Sequence, residues 1–252
     1  MLQGLPGINA ANIYLLFQQS KIMRFFEFEK VLSPARINRY LSACYGNTKK
    51  AMTLYRYNLR LSQDMFTVIS CYEVALRNSI DSVLTKSIGP DWLRDSILPG
   101  GFFTNPKFNT TAKIIRNAYF GLMRNRAYSH DKLLAEMEFG VWKHLFSTPH
   151  YRATGQVLLT VFPRKPKSSA SFHYDNSFLF NELDSINRLR NRIAHHEPIC
   201  FSRNNDTIST THLLNVYHRI MKLFSWMNLD GGAILFGLDH IYKINSRIMA
   251  LA

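Results

Sequence analysis

Met65, Ile69, Tyr72, Leu76, Ile80 and Val83 follow one another at steps of four, three, four, four and three residues. Only an α-helix brings residues at that spacing onto one side, so the run predicts an amphipathic helix with a single buried face. Gly89-Pro90 is read as its stop. Helical spacing recurs along the chain and no sustained strand alternation appears. The expected fold class is therefore all-α, a multi-helix bundle of about seven to nine helices in one compact unit.

Other signals give the expected order of elements. Ser33-Pro34 reads as a capping hydroxyl and a first-turn proline, opening a short helix that ends near Gly46-Asn47. A separate helix is expected from Lys49 to Leu61, ahead of the stripe that begins at Met65. Pro99-Gly100-Gly101 reads as a loop that moves without disturbing the core. A helix follows over 109–125. Asp131 is expected to cap another, which buries Leu134, Met137, Val141 and Leu145, keeps Phe139 and Trp142 in the core and ends at Ser147-Thr148-Pro149. Residues 163–176 form a polar loop. Beyond it one helix buries Leu179, Leu183, Ile186 and Ile193, and Asn204-Asn205-Asp206 marks a turn. A helix over 211–227 uses Leu214, Tyr217, Met221 and Phe224, Gly231-Gly232 breaks it, and a last helix spans 239–248.

With 46% apolar residues the 252-residue chain can bury a large core. Lys and Arg number 31 against 17 Asp and Glu, a formal +14, which favours polyanionic partners such as RNA or DNA; a basic protein without such a partner is the plainer alternative. The charge clusters: from Asn105 to Ser129 there are Lys107, Lys113, Arg116, Arg124 and Arg126 and no acid. Lys113, Arg116, Arg124 and Arg126 are the candidate phosphate-tracking face. Three cysteines without metal-type spacing point to neither a disulfide framework nor a zinc site, and a reducing cytoplasm is the expected location. No stretch approaches the roughly 18 uninterrupted apolar residues of a membrane span. No membrane partner and no cofactor is expected.

The densest chemistry lies between Asn187 and Pro198, where Arg188, Arg190, Arg192, His195 and His196 fall within nine positions. Arginine offers a permanently charged planar fork suited to phosphate oxygens, and histidine as a residue type titrates near neutrality. Together they can hold a phosphodiester and move protons around it without metal. Adjacent histidines cannot easily converge on one ion and no H-E-x-x-H pair is present, so no metal site is expected from His195, His196, Glu197 and Cys200. On a regular helix, positions five apart point about 140° away from each other, so Arg190 and His195 cannot face one phosphate from unbroken helix. Two solutions are open. The turn frays at His195 because Pro198 biases Glu197 away from helix, or Arg190 of one chain meets His195 of another across a two-fold axis.

Arg190 falls on the apolar side of its helix, a costly place for a charge that is neither paired nor facing a cleft; Glu73 or Glu182 could pair it. Arg188 and Arg192 point elsewhere and read as solvent or phosphate contacts. Asn191 either orients Arg190 or a histidine, or satisfies backbone in the last turn. His196 reads as a secondary site or a capping residue, and Glu197 as a carboxylate that orients an imidazole. Glu73 and Arg77, four apart with the acid first, suit a helical ion pair.

Arg190-Asn191, three residues and His195 have the form of the R-N-x-x-x-H motif of HEPN-domain ribonucleases, and RNRIAHHEPI, from Arg190 to Ile199, resembles the Abi-like (abortive infection) branch of that superfamily. Four stretches agree in order: FEKVLSPARINRYLSACYGN (Phe28 to Asn47), LYRYNLRLSQ (Leu54 to Gln63), CYEVALRNSID (Cys71 to Asp81) and EFGVWKHLF (Glu138 to Phe146). The likeness runs from about residue 24 to 225. It implies a HEPN-type helical domain over 23–252 behind a variable tail over 1–22, with Met23 as an alternative start. It also implies a metal-independent endoribonuclease acting in phage defence or as a toxin, with its cleft at a homodimer interface and an antitoxin or other regulatory partner.

In that reading His195 takes the proton of a ribose 2′-hydroxyl or gives one to the leaving 5′-oxygen, Arg190 stabilises the phosphorane charge with Asn191 beside it, and Glu73, Arg77 and Asn78 support them. The rival is a non-catalytic RNA-binding or partner-binding HEPN module, and a third reading is a DNA-directed effector. Some HEPN toxins carry, two residues after the histidine, a tyrosine that a partner nucleotidyltransferase modifies. Glu197 stands there instead, so that regulation is not expected.

Overall fold

The computed structural model describes residues 23–202 and 205–252, and the tail expected over 1–22 lies outside them. Among the described residues there are twelve α-helices and no strand, seven of the helices being eight residues or longer. The all-α expectation holds, with more short helices than foreseen. They are α1 (Phe25–Leu32), α2 (Pro34–Ala43), α3 (Thr48–Ser87), α4 (Trp92–Asp95), α5 (Asn109–Arg124), α6 (His130–Ala135), α7 (Phe139–His144), α8 (Thr148–Ala153), α9 (Asn176–Ala194), α10 (Thr211–Trp226), α11 (Gly231–Ile234) and α12 (Ile241–Met249). No described helix is long and apolar enough to cross a membrane.

The centre is α3. Two helices were expected over this stretch, but neither Gly nor Pro interrupts Thr48–Ser87 and the chain continues through Ser62-Gln63-Asp64. At about 1.5 Å per residue, forty residues make a rod roughly 60 Å long. Asn47 starts it by accepting the Lys50 N–H (3.0 Å). The foreseen stripe is buried from Met65 to Ile80 and continues to Leu84, with Val83 at its margin. Helices α1, α2, α7, α9, α10 and α12 all pack on this rod. Its far end is tied by Asp81, whose Oδ1 accepts the Trp92 indole N–H (2.8 Å) and meets His130 Nε2 (2.7 Å), holding α4 and α6.

Several turn signals behave differently from their sequence reading. Ser33 makes no side-chain cap and takes φ 73°. Gly101 packs with its backbone against Asp95 and Ser96, so close that a Cβ would lie 2.2 Å from the Asp95 carbonyl oxygen. Phe103 beside it is buried and donates its N–H to the Ser96 carbonyl (2.8 Å), so this loop is built into the core. Ser129, not Asp131, caps α6, and the helix expected through Leu145 is split into α6 and α7. Pro149 sits in the first turn of α8 rather than ending a helix. Likewise α10 closes at Asn228 (φ 63°), and Gly231 begins α11 under an Asp230 cap.

His150 on α8 is enclosed by Phe103 and Phe108, with Thr111 Oγ1 2.9 Å from Nε2 and Ser147 Oγ 2.8 Å from Nδ1. Both ring nitrogens are satisfied by hydroxyls in the neutral state. Burial first, then the charges of His144 and Lys107, lower its pKa to about 4. An unfolded histidine titrates near 6.5, so below that pH the unfolded chain takes up a proton that the native site refuses. His150 thus contributes stability that is complete above about pH 6.5 and is lost as pH falls toward 4, by up to about 3 kcal/mol. Denaturant unfolding at a series of pH values should show a shallower acid loss in His150→Gln than in wild type over that window.

Candidate functional site

Asp175 opens α9 by accepting the Phe178 N–H (2.8 Å), and Leu179, Leu183, Ile186, Leu189 and Ile193 form its buried face. The far end is closed by a Schellman motif. The His196 N–H donates to the Ile193 carbonyl (3.0 Å) and the Glu197 N–H to the Arg192 carbonyl (2.8 Å), while His196 adopts φ 57°. Glycine usually fills that left-handed position, and His196 holds it here with the ordinary Cβ strain.

The turn therefore does not fray at His195, whose N–H still bonds the Asn191 carbonyl (2.9 Å). Arg192 locks the exit, with Nη2 donating to the Pro198 carbonyl (2.6 Å) and Nε pairing with Glu197 (3.1 Å). Asn58 on α3, itself buried, accepts the N–H groups of Ile199 (2.9 Å) and Cys200 (3.2 Å) and fixes the next two residues.

Arg190 and His195 end in different surroundings. Arg190 is half-buried and its Nε is enclosed with no hydrogen-bond partner among the described residues. The charge it faces is Glu73, whose pKa is raised by burial, an effect that Arg190, Arg77 and the Phe139 N–H offset and Glu138 reinforces. Glu182, the other carboxylate considered, is committed to Arg219 (2.9 Å) and Lys222 (2.7 Å) on α10. Arg77 Nε in turn donates to the exposed Asn78 Oδ1 (3.3 Å). Four of the expected residues, Arg190, Glu73, Arg77 and Asn78, thus gather where α9 crosses α3.

His195 is exposed, and it lines a cleft of about 390 Å³ with Ser33, Arg36, Arg39, Tyr40, His196 and Pro198. Arg36 Nη1 donates to the His196 carbonyl (2.8 Å). Arg39 lies over the Phe201 ring (4.5 Å) and donates to the Asn205 carbonyl (2.7 Å), with Asp206 3.2 Å from its Nε. Two of the six non-glycine residues with positive φ among the described residues, Ser33 and His196, meet at this cleft. Asn191 is exposed on α9, and its carbonyl serves the helix end.

Of the candidate phosphate contacts, Lys113 and Arg124 are exposed on α5, Arg116 is half-buried there and Arg126 is exposed just beyond it. Arg188 pairs with Asp184 (2.6 Å), and Arg192 is the lock described above. Arg36, Arg39 and Asn58 were not foreseen. Their signals were present: Arg36, Arg39 and Tyr40 lie at i, i+3, i+4, and Asn58 is the one amide in the apolar series Leu54, Tyr55, Leu61, Met65.

A family profile described as Abi-like protein matches residues 18–200. The chain belongs to that family. The match reaches from the last five residues of the segment read as a tail to Cys200, and it contains every site residue named so far on α2, α3 and α9. No curated protein and no solved structure matches this Abi-like chain.

Two substitutions separate strain from support at the Abi-like motif. His196→Gly relieves the left-handed Cβ and should raise stability by about 0.5–1 kcal/mol. Asn58→Ala leaves two buried N–H groups unpaired and should lower it by about 2 kcal/mol or more. Equilibrium denaturation of both variants measures each effect.

Proposed function

We propose that this chain is a metal-independent endoribonuclease of HEPN type that acts in phage defence or as a toxin. The observation that carries the reading is the contrast between its two motif residues. The His195 imidazole stands exposed at an ordered helix end in a cleft with Arg36 and Arg39, while Arg190 is half-buried and interacts electrostatically with Glu73. An exposed imidazole can exchange a proton with a substrate, and a guanidinium is a permanent cation that can stabilise charge on a phosphate.

In the reaction the ribose 2′-oxygen forms a bond to phosphorus as the bond to the 5′-oxygen breaks. The 2′-hydroxyl loses its proton and the 5′-oxygen gains one, leaving a 2′,3′-cyclic phosphate and a 5′-hydroxyl. His195 supplies one of those transfers and Arg190 stabilises the charge on the phosphorane.

The ordered α9 end favours the two-chain solution, because Arg190 and His195 are kept on separate sides of one helix. A seam on α3 supports it. Leu59, Phe66 and Val74 are exposed, seven and eight residues apart, on the face that also carries Glu73 and Arg77. A second copy covering that seam would bring its own His195 toward Arg190.

The test is cleavage of a labelled RNA pool in EDTA with end-group analysis. Wild type should yield cyclic-phosphate ends, and His195→Ala should lose about 10²–10⁴-fold in rate while still binding RNA. Arg190→Ala and His195→Ala, each inactive alone, should regain activity when mixed, since one of the two sites in a mixed dimer is whole. An intact RNA pool with wild-type protein would move the assignment to a non-catalytic RNA-binding or partner-binding module, a reading that the electrostatic interaction of Arg190 with Glu73 also fits.

A further inference from the structure

A second basic site lies away from the α9 motif, between α3 and α12. Arg56, Tyr57 and Arg60 of α3 and His240, Lys243, Ile244 and Arg247 at α12 line a cleft of about 370 Å³. Arg56 and Arg60 are four residues apart, as are Lys243 and Arg247, so each helix carries a like-charge pair of the spacing that disfavours helix, and the two pairs face each other. None of the four has a carboxylate ion-pair partner among the described residues.

The acids nearest this cleft do little to neutralise it. Asp64 is buried, and its carboxyl is raised by that burial and by Asp239 against the pull of His240 and Arg60. Asp239 is taken up by the Tyr217 hydroxyl (2.5 Å) and the Ile241 N–H (3.1 Å). Arg247 stacks over the half-buried Tyr57 ring (6.0 Å), which leaves its guanidinium edge free for acceptors.

We infer that this cleft binds a triphosphate group. Four cations lining one cleft, of which Arg56 also lies over the Phe28 ring (5.3 Å), call for an anion of similar charge in a small volume. A strand of nucleic acid carries one charge per nucleotide and would leave most of them uncompensated in a space this size. A triphosphate brings three to four charges into a few ångströms. Two ligands share that chemistry, a free nucleoside triphosphate and the 5′-triphosphate end of an RNA.

The inference does not depend on the nuclease reading, and its test measures binding alone. Titration calorimetry at fixed ionic strength, with inorganic tripolyphosphate as the first probe, should give saturable binding to wild type. Arg60→Glu combined with Lys243→Glu, both exposed, should weaken it about tenfold or more. Lys132→Glu with Arg152→Glu removes the same net charge at exposed positions elsewhere and should leave it unchanged.

Competition then separates the sources. Displacement of tripolyphosphate by ATP assigns the free nucleotide, and displacement by a 5′-triphosphate RNA but not by ATP assigns the RNA end. The inference is overturned if tripolyphosphate does not bind, if both double variants weaken it equally, or if a 5′-hydroxyl RNA competes as well as its 5′-triphosphate counterpart.

Discussion

Burial of one face of α3 is the interaction on which the remainder of the structure rests. Nearly every other long helix packs against that rod, and short helices finish the ends. The polar residues that α3 does carry inward or sideways are therefore placed where they can fix other elements. Asp81 holds α4 and α6, Glu73 faces Arg190, and Asn58 takes the two N–H groups that follow the histidines. A helix that already supplies the core also sets the position of the motif, with no dedicated scaffold.

The electrostatics of the motif follow from that placement. A half-buried guanidinium is tolerable because a carboxylate is nearby, yet Glu73 is itself desolvated enough to have its ionisation opposed. Burial and the Glu138 charge thus work against the Glu73 carboxylate while Arg190 and Arg77 favour it. At the other end of the motif the backbone holds His196 in a conformation glycine would occupy more comfortably. A partly desolvated carboxylate faces one half of the twelve-residue segment, and backbone strain marks the other.

What could be read from the chain in advance was what depends on neighbours in sequence. The Met65 to Ile80 stripe, the buried face of α9 and the bounds of α5 and α10 follow from periodicity and came out in register. The joining of two expected helices into α3 was missed, although nothing in Ser62-Gln63-Asp64 breaks a helix. Harder were positions where glycine and proline act through packing. Gly101 looks like a hinge and is a point of closest approach, and Pro149 looks like a stop and begins a helix. Glu73, with Glu182, was considered as a carboxylate for Arg190 from the cost of a buried charge, and Arg77 was placed beside the motif helix on the resemblance; the cleft that Arg36 and Arg39 form with His195 was not foreseen, because its partners are about 160 residues apart and no local pattern links them.

The locked end of α9 also has a kinetic consequence. Arg192 and Asn58 tie down the exit from the turn that carries His195, so on the proposed reading a working site built from Arg190 and His195 would be assembled from two molecules. Its abundance then grows with the square of copy number while copies are scarce. On that proposal activity would rise more steeply than expression level.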